Sequence, residues 1–329
     1  MARKKSTTVT HWGHYNIETE RGLVKSVEGN SDDLNPSPIS QSLLDIKSKK
    51  TRIGYPMVRK GYLEKEFHSD QGRRGKEPFV RVTWETAIAL AAEAIKKIKD
   101  DYGNEAFYCG SYGWASPGKF HHAQSHLKRF FSLYGGFTKS EKTYSAAAAE
   151  TIIPHVLGTS LHTLNLQTTP WEDIINNAEL VVCFGGIPEK NLQVTMSGNR
   201  KHVSDVDFLS ASTRGVKFVN ISPIKGDANE SLNAKWLPIK PQTDVALILA
   251  LCTTLLRAQI YDVEFLKKYT VGFDVFSRYL LGDVDGILKD AKWAETITSL
   301  PAPEIEELAK VMASCKTFLS MGWSLQRAE

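Results

Sequence analysis

The sequence predicts an α/β fold: a small β-rich lobe at the amino terminus, then parallel sheets covered by helices on both faces. Three observations predict it. First, one phrase recurs four times, an apolar strand that ends in small or polar residues. Its copies are Ala106–Gly110, Leu180–Gly186, Val216–Pro223 and Phe318–Trp323. Second, helical apolar spacing fills the intervals, over Asp244–Arg257, Val263–Tyr269 and Pro303–Ser314. Third, the strands are apolar almost throughout rather than alternating, which marks strands buried on two faces in a parallel sheet.

Taken in order, the first sixty residues are rich in Ser, Thr, Lys and Asp. They hold short strand-like pieces, Val9–Trp12 and Gly22–Val27, and a break at Asn35–Pro36–Ser37–Pro38. This stretch has too few apolar residues for a large core of its own. The pattern changes at Thr83, a helix N-cap residue type, with Ile88, Ala91, Ala92, Ile95 and Ile98 following at helical spacing as far as Lys99. The strand Ala106–Gly110 then leads into a polar turn, Ser111–Gly118, and a helix over Lys119–Leu133. No sequence repeat, low-complexity tract or heptad seam is present.

Composition bounds the function. A chain of 329 residues has room for about two or three domains. Its 42% apolar and 24% charged content is that of an ordinary globular protein. A net charge of +4 is too small to argue for nucleic acid and suits a small anionic ligand or cofactor. The four cysteines, Cys109, Cys183, Cys252 and Cys315, lie far apart with no CxxC pair. That spacing writes neither a zinc knuckle nor an iron–sulfur run, and predicts reduced core thiols in an intracellular protein. Met1–Thr10 is basic and then polar, with no apolar run behind it. No stretch approaches the roughly 18 apolar residues of a membrane span. The expectation is a soluble protein that is not exported.

In open α/β sheets ligands bind beyond the carboxyl ends of the strands. That rule singles out the loops Tyr112–Ser116, Gly185–Asn191, Ile221–Lys225 and Trp323–Arg327. Small residues there let a ligand approach the backbone, and Lys190, Lys225 and Arg327 bring positive charge. Neither GxGxxG nor Walker A spacing occurs, so a nicotinamide or ATP site is not signalled. His121, His122 and His126 fall on the helix predicted after the first loop. Without a carboxylate partner they read as a solvated face rather than a metal site.

A set of motifs then resembles one family. Ser111–Tyr112–Gly113–Trp114–Ala115–Ser116 with Gly135–Gly136–Phe137 resembles the active-site strand, turn and helix of the molybdenum S-oxide and N-oxide reductases. Tyr144–Ser145, followed by Ile153–Pro154–His155–Val156 and Gly158, resembles the segment that carries their serine metal ligand. Further matches are Pro188 with Lys190, Pro241–Leu247, Gly272–Phe273–Asp274 with Phe276, Ala291 with Trp293–Ala294, and Gly322–Trp323–Ser324 with Gln326–Arg327. His11–Trp12–Gly13 and Tyr55–Gly61 also fit. The matches run in order over nearly the whole chain. The sequence thus resembles the dimethyl sulfoxide reductase family of molybdopterin oxidoreductases, most closely its biotin and methionine sulfoxide reductase branch.

That resemblance implies a fold with a β-rich lobe over residues 1–60. It further implies two incomplete, doubly wound parallel-sheet lobes, over residues 61–165 and 166–329. The first of these carries the metal ligand and the second binds a dinucleotide cofactor; the chain is truncated before the family's carboxy-terminal β-barrel lobe. The implied cofactor is molybdenum bis(molybdopterin guanine dinucleotide), with no iron–sulfur cluster. Ser145 stands at the oxygen ligand to molybdenum, a harder donor than a thiolate and suited to a high-valent, oxygen-seeking metal. Tyr112 and Trp114 stand where the family places neutral hydrogen-bond donors to the metal oxo group, which suits polarising an S=O bond. Tyr112 points toward S-oxides, since N-oxide specialists tend to lack a tyrosine there. Trp114, Ser116, Lys190, Asn191, Ile221, Ser222, Gln242, Thr243, Asp244, Trp323, Ser324 and Arg327 are implied to line the dinucleotides, Asp244 at a guanine edge and Lys190 and Arg327 at pyrophosphate. Without the resemblance, Ser145 reads as a turn residue, Tyr112 and Trp114 as core aromatics, and the others as caps and surface charges.

The implied reaction is oxygen-atom transfer: reduced molybdenum takes the oxygen, the sulfide leaves, and two electrons and two protons regenerate the metal and release water. The implied partners are a small S-oxide or N-oxide substrate (biotin sulfoxide, methionine sulfoxide, dimethyl sulfoxide or trimethylamine N-oxide), an electron donor and a second chain supplying the missing half. No nucleic acid and no membrane span are implied. Arg3–Lys4–Lys5 is not a twin-arginine leader, which points to the cytoplasm. Two departures stand out. Ala146–Ala147–Ala148–Ala149–Glu150 replaces the family's Thr–Gly–Ala–Ala–Gln, which tightens the turn and adds a negative charge. Family members are also more than twice as long, so this chain alone is expected to be inactive. Two alternatives remain at this point: a non-catalytic remnant or cofactor-binding and interaction module, and an unrelated α/β nucleotide-binding protein.

Overall fold

The computed structural model describes residues 3–46, 52–110, 122–194 and 202–327. These form two compact units, one from residues before Lys142 and one from Lys142–Val194 together with the chain from His202 onward.

The first unit opens with an antiparallel meander, β1 (Lys4–Thr10), β2 (Gly13–Glu20) and β3 (Leu23–Gly29). The strand expected over Val9–Trp12 ends earlier, because Thr10 pairs with Gly13 and forces His11 and Trp12 into the turn. Tyr15 fills the small core beneath and donates its hydroxyl to the Trp12 carbonyl at 2.6 Å. A second ribbon pairs β4 (Met57–Arg59) with β5 (Phe79–Arg81). Arg59 and Glu77 close it with a 2.6 Å ion pair, and the second Glu77 oxygen accepts the Gly61 N–H at 2.9 Å. Here the carboxylate is buried and its lone pairs are used, the condition under which such a pair holds a turn.

The helix Trp84–Tyr102 starts where the sequence predicts, capped by Thr83 Oγ1 accepting from the Thr86 amide, and ends at Gly103. The strand predicted at Ala106–Gly110 is reduced to a parallel bridge between Tyr108 and Thr138. Thr138 exchanges two backbone hydrogen bonds, with Phe107 and Cys109, and no ladder continues among the described residues. A parallel strand is defined by its neighbours, so an apolar run without them stays irregular. The next helix is Ala123–Leu133. His122 lies before it as the N-cap rather than on it, its ring accepting from the Ser125 amide.

The second unit is built on a parallel sheet of β6 (Leu180–Phe184), β7 (Lys217–Ile221), β8 (Lys235–Leu237) and β9 (Thr317–Met321), in the order β8-β7-β6-β9. Every residue of β6 is buried. Its alternation splits the core in two. Leu180, Val182 and Phe184 join Val219, Ile221 and Leu237 against helices Asp244–Ala258, Ala291–Thr298 and Ala302–Ser314. Val181 and Cys183 join Phe218 on the other face, against helices Trp171–Asn177 and Ser204–Thr213. The sheet is therefore doubly wound, as the apolar strands require. Burial pushes the Cys183 thiol up to about 12, so it stays a neutral, unreactive core group. All four cysteines are free.

Several elements escape sequence reading, and two of them show the physical reason. Strand β8 is only Lys-Trp-Leu, too short to show a period. Helix Ser204–Thr213 buries Ser204, Phe208 and Ala211, so its inward stripe contains a single large apolar residue. Among the described residues, no helix is long and apolar enough to cross a membrane.

Leu247 lies at the centre of the helix-covered core with 0% exposure. Leu247→Ala is expected to lower unfolding free energy by about 2–5 kcal/mol, read from the urea midpoint. A loss under about 1 kcal/mol would mean that this layer is not packed as described.

Candidate cofactor-binding site

The register of the parallel sheet fixes where its loops leave. Phe184 pairs with Ile221 and with Met321, and Ile221 pairs with Leu237, so the last residues of all four strands stand side by side. From β6 the chain steps outward through β7 to β8, then returns to place β9 on the other side of β6. The order reverses between β6 and β9, and a crevice opens at such a switch point.

Glycines let the backbones converge there. Gly322 donates to the Phe184 carbonyl at 2.7 Å and Gly185 to the Ile221 carbonyl at 2.9 Å. A Cβ on Gly322 would stand 3.3 Å from the Phe184 oxygen. The next residue after Gly185, Gly186, has φ +75° and a Cβ there would fall 2.6 Å from the Asp227 carbonyl.

On this edge lie most of the residues singled out from the sequence. Lys190 and Asn191 are exposed on the one-turn helix Glu189–Leu192. Lys190 Nζ reaches Asp227 Oδ1 at 3.3 Å, and Ser222 donates its hydroxyl to Asp227 Oδ2 at 2.7 Å. Ser222 is 1% exposed and Ile221 0%, so their side chains serve the fold. Trp236 Nε1 donates to the Ser222 carbonyl at 2.8 Å and ties the loop after β7 to strand β8. Beside Lys190 lies a cavity of about 400 Å³ lined by Pro188, Glu189, Gly226, Asn229 and Glu230. Asn220 Oδ1 is buried with no partner among the described residues.

Beyond β8, Gln242 is exposed at φ +67° and Thr243 donates to the Lys240 carbonyl. Asp244 opens the helix Asp244–Ala258. Burial raises its carboxyl above the ordinary value, and its backbone hydrogen bond at the helix start only partly offsets that. Beyond β9, Trp323, Ser324 and Arg327 lie on the loop at or near the surface, while Leu325 packs on the sheet core.

Ser145 sits in the turn before helix Ala147–Leu157, exposed, beside a Tyr144 that is 99% exposed. Its hydroxyl makes no hydrogen bond among the described residues, whereas its carbonyl accepts from Gln326 Nε2 at 2.5 Å. The Gln326 oxygen accepts the Ala149 amide at 3.1 Å. Ser145 is thus tied to the β9 loop. Ala147, Ala148 and Ala149 start the helix at once, as strong helix formers do, and Glu150 lies exposed in its first turn. Tyr112, Trp114, Ser116 and His121 lie outside the described residues. Sequence reasoning misses Asp227, Asn220 and Trp236, which carry no motif, and passes over the contact of Gln326.

The second unit is a doubly wound α/β fold whose loops gather at the carboxyl edge of a parallel sheet, the edge where folds of this class bind ligands. The chain belongs to the molybdopterin oxidoreductase family, which it matches over residues 52–329. It is 37% identical to the dimethyl sulfoxide/trimethylamine N-oxide reductase of Rhodobacter capsulatus over 97% of this chain and 38% of that protein. It is 39% identical to the biotin sulfoxide reductase of Cereibacter sphaeroides over 92% of this chain and 40% of that protein. With the trimethylamine-N-oxide reductase of Haemophilus influenzae the identity is 35%, over 98% of this chain and 39% of that protein. The chain therefore spans well under half the length of these relatives. The acetylene hydratase from Pelobacter acetylenicus shares the fold, with a TM-score of 0.60 at 21% identity over 98% of this chain and 40% of that one. The family implies a molybdenum–molybdopterin cofactor. The residues present fit such an anionic group: a glycine-lined backbone cradle, exposed Lys190 and Arg327, and an uncommitted serine hydroxyl.

Two outcomes test this geometry. Gly186→Ala is expected to destabilise the chain by about 1–3 kcal/mol, since it joins a left-handed φ to a clash with backbone; an unchanged urea midpoint would refute the close approach. Because the folded-state carboxyl of Asp244 lies above its unfolded value, ionising it costs stability. Its contribution is present below the ordinary carboxylate range and lost as pH rises through the raised value. Asp244→Asn should therefore be the more stable form near neutral pH, with the difference vanishing in acid. A less stable variant near neutral pH would mean that the helix dipole outweighs burial there.

Proposed function

We propose that the chain is the cofactor-binding half of a molybdenum-dependent reductase of S-oxides or N-oxides, working at a bis(molybdopterin guanine dinucleotide) centre. The observation that carries the reading is the convergence of cofactor-type residues on loops leaving one sheet edge in register, with Ser145 tied to one of those loops through Gln326. When bound, the cofactor supplies two-electron oxygen-atom transfer.

The chain's own residues do the rest. Ser145 offers an alkoxide-forming oxygen to the metal, and its carbonyl and the following helix hold that oxygen in place. Lys190 and Arg327 neutralise pyrophosphate oxygens, and Asp244 accepts from the donor edge of guanine. Asn191, Gln242, Thr243, Trp323 and Ser324 line the dinucleotides with neutral polar groups and one aromatic face. Ile221 and Ser222 contribute backbone rather than side chains, since both are buried. Tyr112 and Trp114 donate neutral hydrogen bonds to the oxygen being removed, and Tyr112 favours S-oxides such as biotin or methionine sulfoxide. Ser116 joins the phosphate-facing turn. Electrons come from a separate donor, and the remaining lobes of the enzyme from further sequence or a second chain. The reading carries with it the three-lobe division at residues 60 and 165 and a cytoplasmic setting.

The test is metal and nucleotide content of the purified chain from a molybdenum-replete host. Wild type is expected to hold molybdenum and to release guanine nucleotide on acid treatment. Ser145→Ala should lose metal at least as severely as the 10–100-fold typical of outer-shell changes, about tenfold or more, while keeping its fold by circular dichroism. A soluble wild-type chain with neither metal nor nucleotide would sink the reading and leave a non-catalytic module.

A further inference from the structure

The turn that presents Ser145 is capped by a residue from another part of the chain. Helix Ala147–Leu157 begins after Ala146, which has no side-chain acceptor, so its first amides lack the partner that Ser, Thr, Asp or Asn would supply. The orphan that an N-cap side chain usually satisfies is the third helical amide, here Ala149. Gln326 Oε1 accepts it at 3.1 Å, reaching from the β9 loop across 177 residues of sequence. The other end of the same planar amide donates to the Ser145 carbonyl at 2.5 Å. One rigid group thus bridges the Ser145 carbonyl and the first turn of the helix, and so holds the Ser145–Ala146 peptide plane that adjoins the Ser145 Cα.

We propose that Gln326 is the positioning residue for Ser145, acting through the backbone and not by touching the cofactor. The proposal rests on the reading of Ser145 as the metal ligand. Local capping alone would fix the helix; the Thr143 carbonyl closes the turn by accepting from the Ala146 and Ala147 amides, and the second Gln326 hydrogen bond adds a hold on the carbonyl of the residue that carries the hydroxyl. Leu325, the preceding residue, packs on the sheet core and lies 3.4 Å from where a Gly185 Cβ would stand. The clamp is therefore anchored to the β6/β9 switch point, where the cofactor crevice opens. Glutamine suits the task because it offers an acceptor and a donor on one flat group.

The experiment uses the 329-residue chain and three variants, Gln326→Ala, Gln326→Glu and the pair Ala146→Thr with Gln326→Ala. Amide hydrogen exchange over residues 145–150 reads the clamp without cofactor. Gln326→Ala should lose about five- to tenfold of protection there, the loss of hydrogen bonds of ordinary net strength. In Gln326→Glu the ionised carboxylate accepts from Ala149 but cannot donate to Ser145. That variant should therefore regain protection as pH falls through the carboxylate range, which Gln326→Ala should not. Molybdenum retention reads positioning: Gln326→Ala should retain about 10–100-fold less metal, and adding Ala146→Thr, which restores a local cap, should not rescue it.

Unchanged exchange in Gln326→Ala would overturn the clamp itself. Lost protection with metal retention intact, or rescued by Ala146→Thr, would make Gln326 a helix cap only and overturn positioning. If Ser145→Ala keeps its metal, the ligand reading fails instead, and positioning with it. The exchange experiment separates that failure from a failure of the clamp.

Discussion

The structure of the second unit depends on one constraint, the parallel pairing of β6 with β7 on one side and β9 on the other. Because every residue of β6 is buried, a register slip of one would carry its apolar side chains to the wrong layer on both faces. The register is thus fixed by two cores at once, and with it the alignment of Phe184, Ile221, Leu237 and Met321. Everything at the carboxyl edge inherits that alignment. Lys190, Ser222, Asp244 and Arg327 lie on loops or in the first turns of the helices that follow the strands. They are brought to one edge because the strands before them end together.

The switch point concentrates two requirements that conflict elsewhere. A sheet wants large apolar residues up to the end of each strand, and a ligand wants bare backbone immediately beyond. The sequence changes from Phe184 to Gly185 and from Met321 to Gly322 in a single step, and the two backbones then close to a 2.7 Å hydrogen bond. Gly186 continues the approach on the β7 side, where Ile187 donates to the Asp227 carbonyl at 2.7 Å. Core packing and ligand access are separated by one residue.

How much of this is legible in the sequence follows from range. Helix Asp244–Ala258 and strand β6 declare themselves locally, one by spacing and one by unbroken apolarity, and sequence reading finds both. Strand β8 and helix Ser204–Thr213 exist because of what they pack against, so nothing within their own residues announces them. The same holds at the site. Lys190, Asp244 and Arg327 stand out as charges on loops, and Ser145 through a motif. Asp227 and Gln326 act across 37 and 177 residues of sequence respectively, and no window along the chain contains both partners. Where the reading fails, at Ala106–Gly110, it takes apolarity for a strand, although pairing is what makes one.

On the proposed reading, the site's charges leave room for an anion. Lys190 is held toward Asp227, but its side chain is 69% exposed and the contact is a single one at 3.3 Å. A pair so exposed is worth about 1 kcal/mol at most, enough to orient an ammonium group and too little to retain it against a phosphate oxygen. The stronger bond to Asp227 comes from Ser222, a neutral buried donor at 2.7 Å, and it survives if Lys190 turns away. The carboxylate therefore keeps its loop in shape through Ser222 while leaving the cation exchangeable. By that division of labour, a negatively charged residue can stand in an anion site without closing it.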